Sequence, residues 1–179
     1  MAEVRIAKQT DKSEYYRLWK ICFGDSDAFC DWFFENRFSP EHSIVLEEKN
    51  EIVSCMQAFP YTLYIRNKEI PGAMLCGVST HPEHRKKGYM GEIFSYEMNH
   101  LRDMGFVVAP HTPAVLPSYF SFGHYPVADA KYLECDYVPS FESKIKLELC
   151  EKESWKELHS IYSNFAEKYS GIIKRSEED

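Results

Sequence analysis

Apolar and polar positions divide the chain into short segments of recognisable period. Val4 to Ala7 has the length of an edge strand. Tyr15, Leu18, Trp19 and Cys22 then recur at spacings of three and four, the period of one helical face. This predicts a helix capped by Asp11 or Ser13 and running to about Phe23. Gly24-Asp25-Ser26 breaks it, and a second helix is predicted over Asp27 to Arg37, carrying Phe29, Trp32, Phe33 and Phe34 and ended by Ser39-Pro40. Ile44 to Glu47 reads as a strand, Lys49-Asn50 as a turn and Ile52 to Phe59 as the next strand. Tyr61 to Ile65 alternates, with a hairpin turn at Asn67-Lys68 leading into Ile70.

The segment Gly77 to Gly105 is the most informative. Ala73 to Val78 is a short apolar run bounded by Pro71-Gly72 and His81-Pro82, as a buried strand would be. After the turn, Met90, Ile93, Phe94, Met98, Leu101 and Met104 form one helical face, while Glu92, Glu97, Arg102 and Asp103 mostly fall elsewhere. Gly105 suits a helix end, and Phe106 to Ala109 is a further apolar run stopped by Pro110. Strand, turn, helix and strand in this order predict a parallel pairing with a helical crossover. Pro110 to Pro126 then reads as loop, with one helical turn over Tyr119 to Phe122. Strands are predicted over Lys131 to Val138 and Ser143 to Leu149, and a helix over Trp155 to Tyr169 before Gly171-Ile172-Ile173-Lys174-Arg175. The whole order is that of an α/β domain with a mixed sheet.

Arg85-Lys86-Lys87-Gly88 falls where the turn meets the helix N-terminus. The first amides of a helix lack internal partners and its dipole favours negative charge, so the junction suits an anion. Gly88 and Gly91 keep side chains clear of an approaching phosphate. The expected guest is a pyrophosphate carried by a cofactor. Neither G-x-x-x-x-G-K-[ST] nor G-x-G-x-x-G is present.

What is present, R-x-x-G-x-M-G from Arg85 to Gly91, resembles the [Q/R]-x-x-G-x-[G/A] acetyl-CoA signature of the GNAT acetyltransferases, with Met90 departing from Gly or Ala. The run V-S-T-H-P-E-H-R-K-K-G-Y-M, Val78 to Met90, is similar to the V-A-T-x-P-x-x-R-x-x-G-[LY]-M segment of the Eis-type branch. Tyr119-Phe120-Ser121-Phe122-Gly123 is similar to the Y-x-x-F-G segment of the same enzymes.

This resemblance implies a GNAT-like mixed β-sheet flanked by helices over residues 1–141, with 142–179 opening a second GNAT-like domain or forming a C-terminal appendage. It implies acetyl-CoA as cosubstrate, with Val78, Ser79 and Thr80 along its pantetheine arm and Arg85, Lys86, Lys87, Gly88, Tyr89, Met90 and Gly91 around its pyrophosphate. Tyr119 takes the role of general acid toward the leaving thiolate. Phe23, Asp25 and Trp32 occupy positions similar to those lining the amine site, Asp25 to hold an ammonium group and Trp32 to offer a cation–π face. The general base in the family is the carboxylate of the full-length C-terminus. The implied activity is acetyl transfer to a primary amine: a small cationic amine, an aminoglycoside, a polyamine, a peptide amine or a lysine. The alternative is an inactive acyl-CoA-binding or interaction module. Members of the branch commonly form homo-oligomers.

Composition narrows the partners. A chain of 179 residues fits one domain plus an appendage, and 44% apolar content supplies a core. A net charge of −7 argues against nucleic acid as the main partner and permits a cationic substrate. No apolar run reaches the roughly 18 residues of a membrane span, and the N-terminus lacks a signal-peptide apolar region, which implies a cytoplasmic protein. Cys22, Cys30, Cys55, Cys76, Cys135 and Cys150 are dispersed with no C-x-x-C, so reduced thiols are expected. Cys76, His81 and His84 fit no common zinc spacing, and no metal is expected.

Overall fold

Two tight reversals build the centre of the sheet. Lys49 and Asn50 both take positive φ (54° and 66°), as do Arg66 and Asn67 (50° and 61°). Paired left-handed residues make the two-residue turns whose twist matches the strands they join. They link β2 (Ser43–Glu48), β3 (Glu51–Ile65) and β4 (Lys68–Thr80) into an antiparallel meander, and β1 (Ala2–Ile6) pairs antiparallel with β2. The second turn is therefore Arg66-Asn67, one residue earlier than the sequence pattern indicates. The computed structural model describes residues 2–128, 134 and 148–176. The strands expected over Lys131 to Val138 and Ser143 to Leu149 lie mostly outside them.

β3 and β4 each run through a proline that the pattern treats as a boundary. Pairing with β2 ends at Gln57, and pairing with β5 (Ile172–Lys174) begins at Thr62. Pro60 falls in the interval between, where a missing N–H breaks no ladder bond. Pro71 lies inside β4 and needs only its carbonyl, which accepts Val107 N–H.

Helices cover both faces. α1 (Lys12–Phe23) ends at Gly24 in the left-handed conformation (φ 70°), and Ser26 caps α2 (Asp27–Asn36) by accepting Phe29 N–H. Tyr15, Leu18, Trp19, Cys30, Phe33 and Phe34 pack on Val45, Ile52 and Cys55. α3 (Tyr89–Asp103) lays Ile93, Phe94 and Leu101 on Ile44, Leu46, Met56, Ala58 and Leu75 across the other face. With both faces covered, β2 and the first half of β3 read as unbroken apolar runs rather than as alternation.

Two polar residues differ from expectation. Asp11 stands at the N-cap position of α1, but its side chain makes no capping bond to the helix; its carboxylate accepts Lys8 N–H and two bonds from Arg5 (2.6 and 3.2 Å), tying β1 to the helix entry. Glu97 faces the core side of α3 at 1% exposure rather than solvent. At the C-terminal end, α4 (Trp155–Ala166) holds β5 through Tyr162 Oη to Ile173 O (2.6 Å), and it leaves Leu158, Ile161 and Phe165 exposed. Among the described residues no helix is long and apolar enough to cross a membrane.

Candidate functional site

The outer edge of β4 meets the chain that follows α3. Val107 N–H donates to Pro71 O (3.0 Å), Ala73 N–H to Val108 O (3.0 Å) and Leu75 N–H to Pro110 O (2.9 Å), around a parallel bridge between Gly72 and Val108. The expected parallel pairing is present but short. Gly72 permits the approach, since a Cβ there would stand 2.3 Å from Leu63 Cδ1 and 2.9 Å from Val108 Cγ2.

Among the described residues no backbone bond joins the two segments beyond Leu75 and Pro110. The reason lies in β4. From Cys55 to Gln57 β3 advances two residues while β4 spans Cys76 to Ser79, and within this bulge Gly77 takes φ 60°. Gly77 is the next residue in the alternation Pro71, Ala73, Leu75, and the bulge re-aims it, ending the ladder. A wedge opens between Cys76–Thr80 and the chain from His111 onward. Its β4 wall is fixed from behind: Ser54 Oγ donates to Ser79 O (2.7 Å) and meets Thr80 Oγ1 (2.8 Å), Ser79 Oγ lies 3.1 Å from Cys55 Sγ, and Val78 packs on the α3-side core.

The turn out of β4 leads straight into α3. Arg85 Nε donates to Thr80 O (3.1 Å), Lys86 takes φ 64°, and Gly88 at φ 87° begins the helix. Gly91 and Glu92 donate to Gly88 O. Among the described residues the amides of 86–90 have no backbone acceptor. A run of unfilled N–H groups at a helix start is an anion-binding concavity. Gly91 lies under Phe122, to whose Cε1 a Cβ would come within 3.4 Å, and Met90 packs on the core.

The turn's cations are not equivalent. Arg85 and Lys86 are exposed. Lys87 Nζ instead bonds Glu48 Oε2 (3.0 Å), which also meets His84 Nδ1 (2.8 Å). Lys87, the Tyr89 hydroxyl and His84 together hold the Glu48 carboxyl at about 2. Tyr89 is buried, and burial together with Glu48 raises its phenol. Glu48 is a member of this site that the sequence pattern did not reveal, because its partners lie some forty residues away.

Tyr119 sits on a short 3-10 turn, Leu116–Phe122, at 9% exposure. Its ring lies 4.3 Å from His111 and 5.6 Å from Phe94, and Phe94 stacks on Phe122 (4.9 Å, 9° between planes). Burial raises the Tyr119 phenol above its ordinary value. His124, 4.9 Å from His111, completes the cluster, and its N–H donates to Tyr119 O. Neither histidine was singled out in the sequence, although both flank the Y-x-x-F-G segment.

Phe23 and Asp25 gather at Trp19. Asp25 Oδ2 accepts Trp19 Nε1–H (2.8 Å) and its carbonyl accepts Lys20, while the Phe23 ring stands 4.9 Å from Trp19 at 42% exposure. Trp32 is 51% exposed on α2, and its ring neighbour is Phe29 rather than Phe23. A separate cavity of about 520 Å³, lined by Arg37, Phe59, Tyr61, Pro71, Phe106 and Arg175 among others, lies at the opposite end of β4 from the basic turn.

Residues 3–128 match the family model described as an acetyltransferase (GNAT) domain. No curated protein matches the chain. Among solved structures it is similar to a GCN5-related N-acetyltransferase from Anabaena variabilis, at 15% identity and TM-score 0.76, covering 99% of this chain and 46% of that one. Eis1 from Mycobacterium abscessus gives 14% identity and TM-score 0.73, with the same coverages of 99% and 46%. A predicted acetyltransferase from Clostridium acetobutylicum, solved with acetyl-CoA, gives 18% identity and TM-score 0.60 over 75% of this chain and 96% of that one. The chain thus spans less than half the length of the first two. Likeness at these identities establishes the fold, and the family match over most of the chain establishes more: the protein belongs to the GNAT acetyltransferase family.

Proposed function

We propose that the chain transfers an acetyl group from acetyl-CoA to a primary amine, as a member of the Eis-type branch. The observation that carries this reading is the sequence of features along one line: two parallel segments that part at Leu75 and Pro110, then the open amides of 86–90 at the start of α3. A pantetheine arm fits along Val78, Ser79 and Thr80. Arg85, Lys86 and the amides from Lys86 to Met90, with Gly88 and Gly91 leaving room, receive the pyrophosphate. Lys87 and Tyr89 shape the turn through Glu48.

Placed this way, the thioester reaches the wedge beside Tyr119. Burial keeps its phenol protonated at neutral pH, so it can give a proton to the thiolate as the C–S bond breaks. The amine approaches from the α1–α2 side past Phe23, Asp25 and Trp32, where the Asp25 carboxylate attracts an ammonium group. The net charge of −7 favours a cationic acceptor such as a polyamine, an aminoglycoside or a lysine. A cytoplasmic, homo-oligomeric enzyme fits this reading. So does a further unit covering the exposed face of α4.

The test is calorimetric titration with acetyl-CoA and with CoA, followed by thiol release in the presence of spermidine, lysine methyl ester and kanamycin. Micromolar acetyl-CoA binding with amine-dependent release is expected. A folded sample that binds neither thioester nor thiol overturns the reading.

A further inference from the structure

We propose that the cavity at the far end of β4 binds a small anion that carries a flat ring, at a site separate from the acyl-CoA wedge. The fold explains why there is a cavity. Pairing of β3 with β2 ends at Gln57 and pairing with β5 begins only at Thr62, so among the described residues no strand flanks Ala58 to Tyr61 on that side. Phe59 and Tyr61 of this interval line the space, together with Arg37 just past α2 and Lys174 and Arg175 at the end of β5. Its volume of about 520 Å³ falls within the roughly 300–1,000 Å³ of small-molecule sites.

Charge is the first argument. Three cations border one cavity in a chain whose net charge is −7. Arg37 and Lys174 already have partners, Lys174 in Glu69 at 2.7 Å, and they act through the field they set. Arg175 is exposed, and among the described residues it has no acidic partner. Its guanidinium lies over the Tyr162 ring, 5.0 Å from the centre, and its carbonyl accepts His159 Nε2 (3.1 Å), so α4 holds it in place. A guanidinium stacked on a ring keeps its N–H edge open, and that planar edge matches a carboxylate or a phosphate. Shape is the second argument. Phe59, Tyr61 and Phe106 are half-buried and offer carbon surface, and Phe59 is fixed edge-on against Phe33 (5.9 Å, 79°). A bare ion would leave these rings unused, and a neutral ring would leave the guanidinium unused. An aromatic carboxylate and a nucleoside phosphate share the chemistry that uses both.

Distance separates this site from the acyl-CoA site. Pro71 lines the cavity near the start of β4, whereas Arg85 donates to Thr80 O at the other end of the strand. At about 3.3 Å per residue, the steps from Pro71 to Thr80 put the two anion sites roughly 30 Å apart. Ligands of the two sites therefore do not compete, and the inference does not depend on the acetyl-transfer reading.

The experiment is an amide-resolved NMR titration of the whole chain with indole-3-acetate, AMP, indole and inorganic phosphate, with and without excess acetyl-CoA, repeated on Arg175→Gln. Indole-3-acetate or AMP should bind with a dissociation constant on the order of 1 mM or below. The shifts should fall on Tyr61, Thr62, Phe106 and Lys174, a readout that needs no variant to fold. The tighter of the two ligands identifies the head group as carboxylate or phosphate. Indole and phosphate alone should bind at least about tenfold more weakly, and Arg175→Gln should lose about tenfold toward the ring-bearing anion. Acetyl-CoA should leave that affinity within about twofold of its value without it, since the sites are distinct. The proposal is overturned if neither ring-bearing anion moves these amides at about 10 mM, or if the shifts fall instead on residues 86–90 and acetyl-CoA abolishes them. Equal affinity for indole or for phosphate also overturns it, as does an Arg175→Gln variant that binds like wild type.

Discussion

Lys87 Nζ lies 3.0 Å from Glu48 Oε2, so the basic turn that opens α3 carries its own counter-charge from the end of β2. The pair is half-exposed and contributes little to stability. Its effect is on the field of the turn, since one of three cations is already matched. Glu48→Gln frees that charge. Acetyl-CoA should then bind severalfold more tightly at low salt, with the gain shrinking at 0.5 M salt as screening sets in. Titration at two salt concentrations reads both effects. Weaker binding at both would mean that Glu48 serves chiefly to hold the turn in shape.

Gly77 and Trp19 supply a second prediction. Gly77 sits at φ 60°, and a Cβ there would stand 2.4 Å from Trp19 Cζ3. Gly77→Ala combines backbone strain with a clash against a buried indole and should cost about 2–4 kcal/mol. Gly105 has φ 89° with nothing within 4 Å of its virtual Cβ, so Gly105→Ala should cost only about 1 kcal/mol. Urea unfolding of both variants separates the two contributions. Equal costs would show that Trp19 yields freely, and the bulge would then not depend on α1.

Gly77 also shows where the sequence was sufficient and where it was not. The helices over Lys12–Phe23, Asp27–Asn36 and Tyr89–Asp103 follow from periodicity and breakers in the chain itself, and so does the Lys49-Asn50 turn. The motif residues Arg85 to Gly91 fell at the strand-to-helix junction because strand, turn and helix each left a local mark. The bulge left none. The ring against which Gly77 sits, Trp19, comes from α1, almost sixty residues earlier. Pro60 and Pro71 misled for the same reason, since a proline breaks a strand only where a neighbour needs its N–H, and the neighbour is a tertiary fact. Glu97 was placed by its chemistry, whereas its position four residues after Ile93 and four before Leu101 put it on the buried face.

Glu97 carries a pH prediction. Both carboxylate oxygens are sealed without a partner, and burial raises the group from 4.5 to about 7. At low pH the carboxyl is neutral in folded and unfolded chains alike and contributes nothing. As pH rises past 4.5 the unfolded chain ionises first, so folding is penalised, and the penalty levels off above about pH 7. At that plateau it is on the order of 3 kcal/mol. Glu97→Leu removes it. The variant should therefore be more stable than wild type at pH 8 and show much less advantage at pH 4.5, as read by urea unfolding at the two values. A stability difference that does not change with pH would mean the carboxylate finds water or a partner on ionising.

Tyr119 gives the prediction that separates chemistry from packing. Its ring is held between His111 and Phe94, and among the described residues its hydroxyl makes no hydrogen bond. Tyr119→Phe removes the hydroxyl and leaves both ring contacts, so folding stability should change by less than about 1 kcal/mol. Acetyl-CoA should still bind, because the amides of 86–90 and the end of β4 are untouched. What is lost is the proton for the leaving thiolate, and kcat should fall on the order of 100-fold. The deficit should shrink with an acyl donor whose thiol is more acidic, since such a group leaves well without protonation. Measuring kcat with acetyl-CoA and with an acetylated thiophenol tests this directly. An unchanged kcat with acetyl-CoA would remove Tyr119 from the chemistry, and an equal loss with both donors would assign it to positioning the thioester instead.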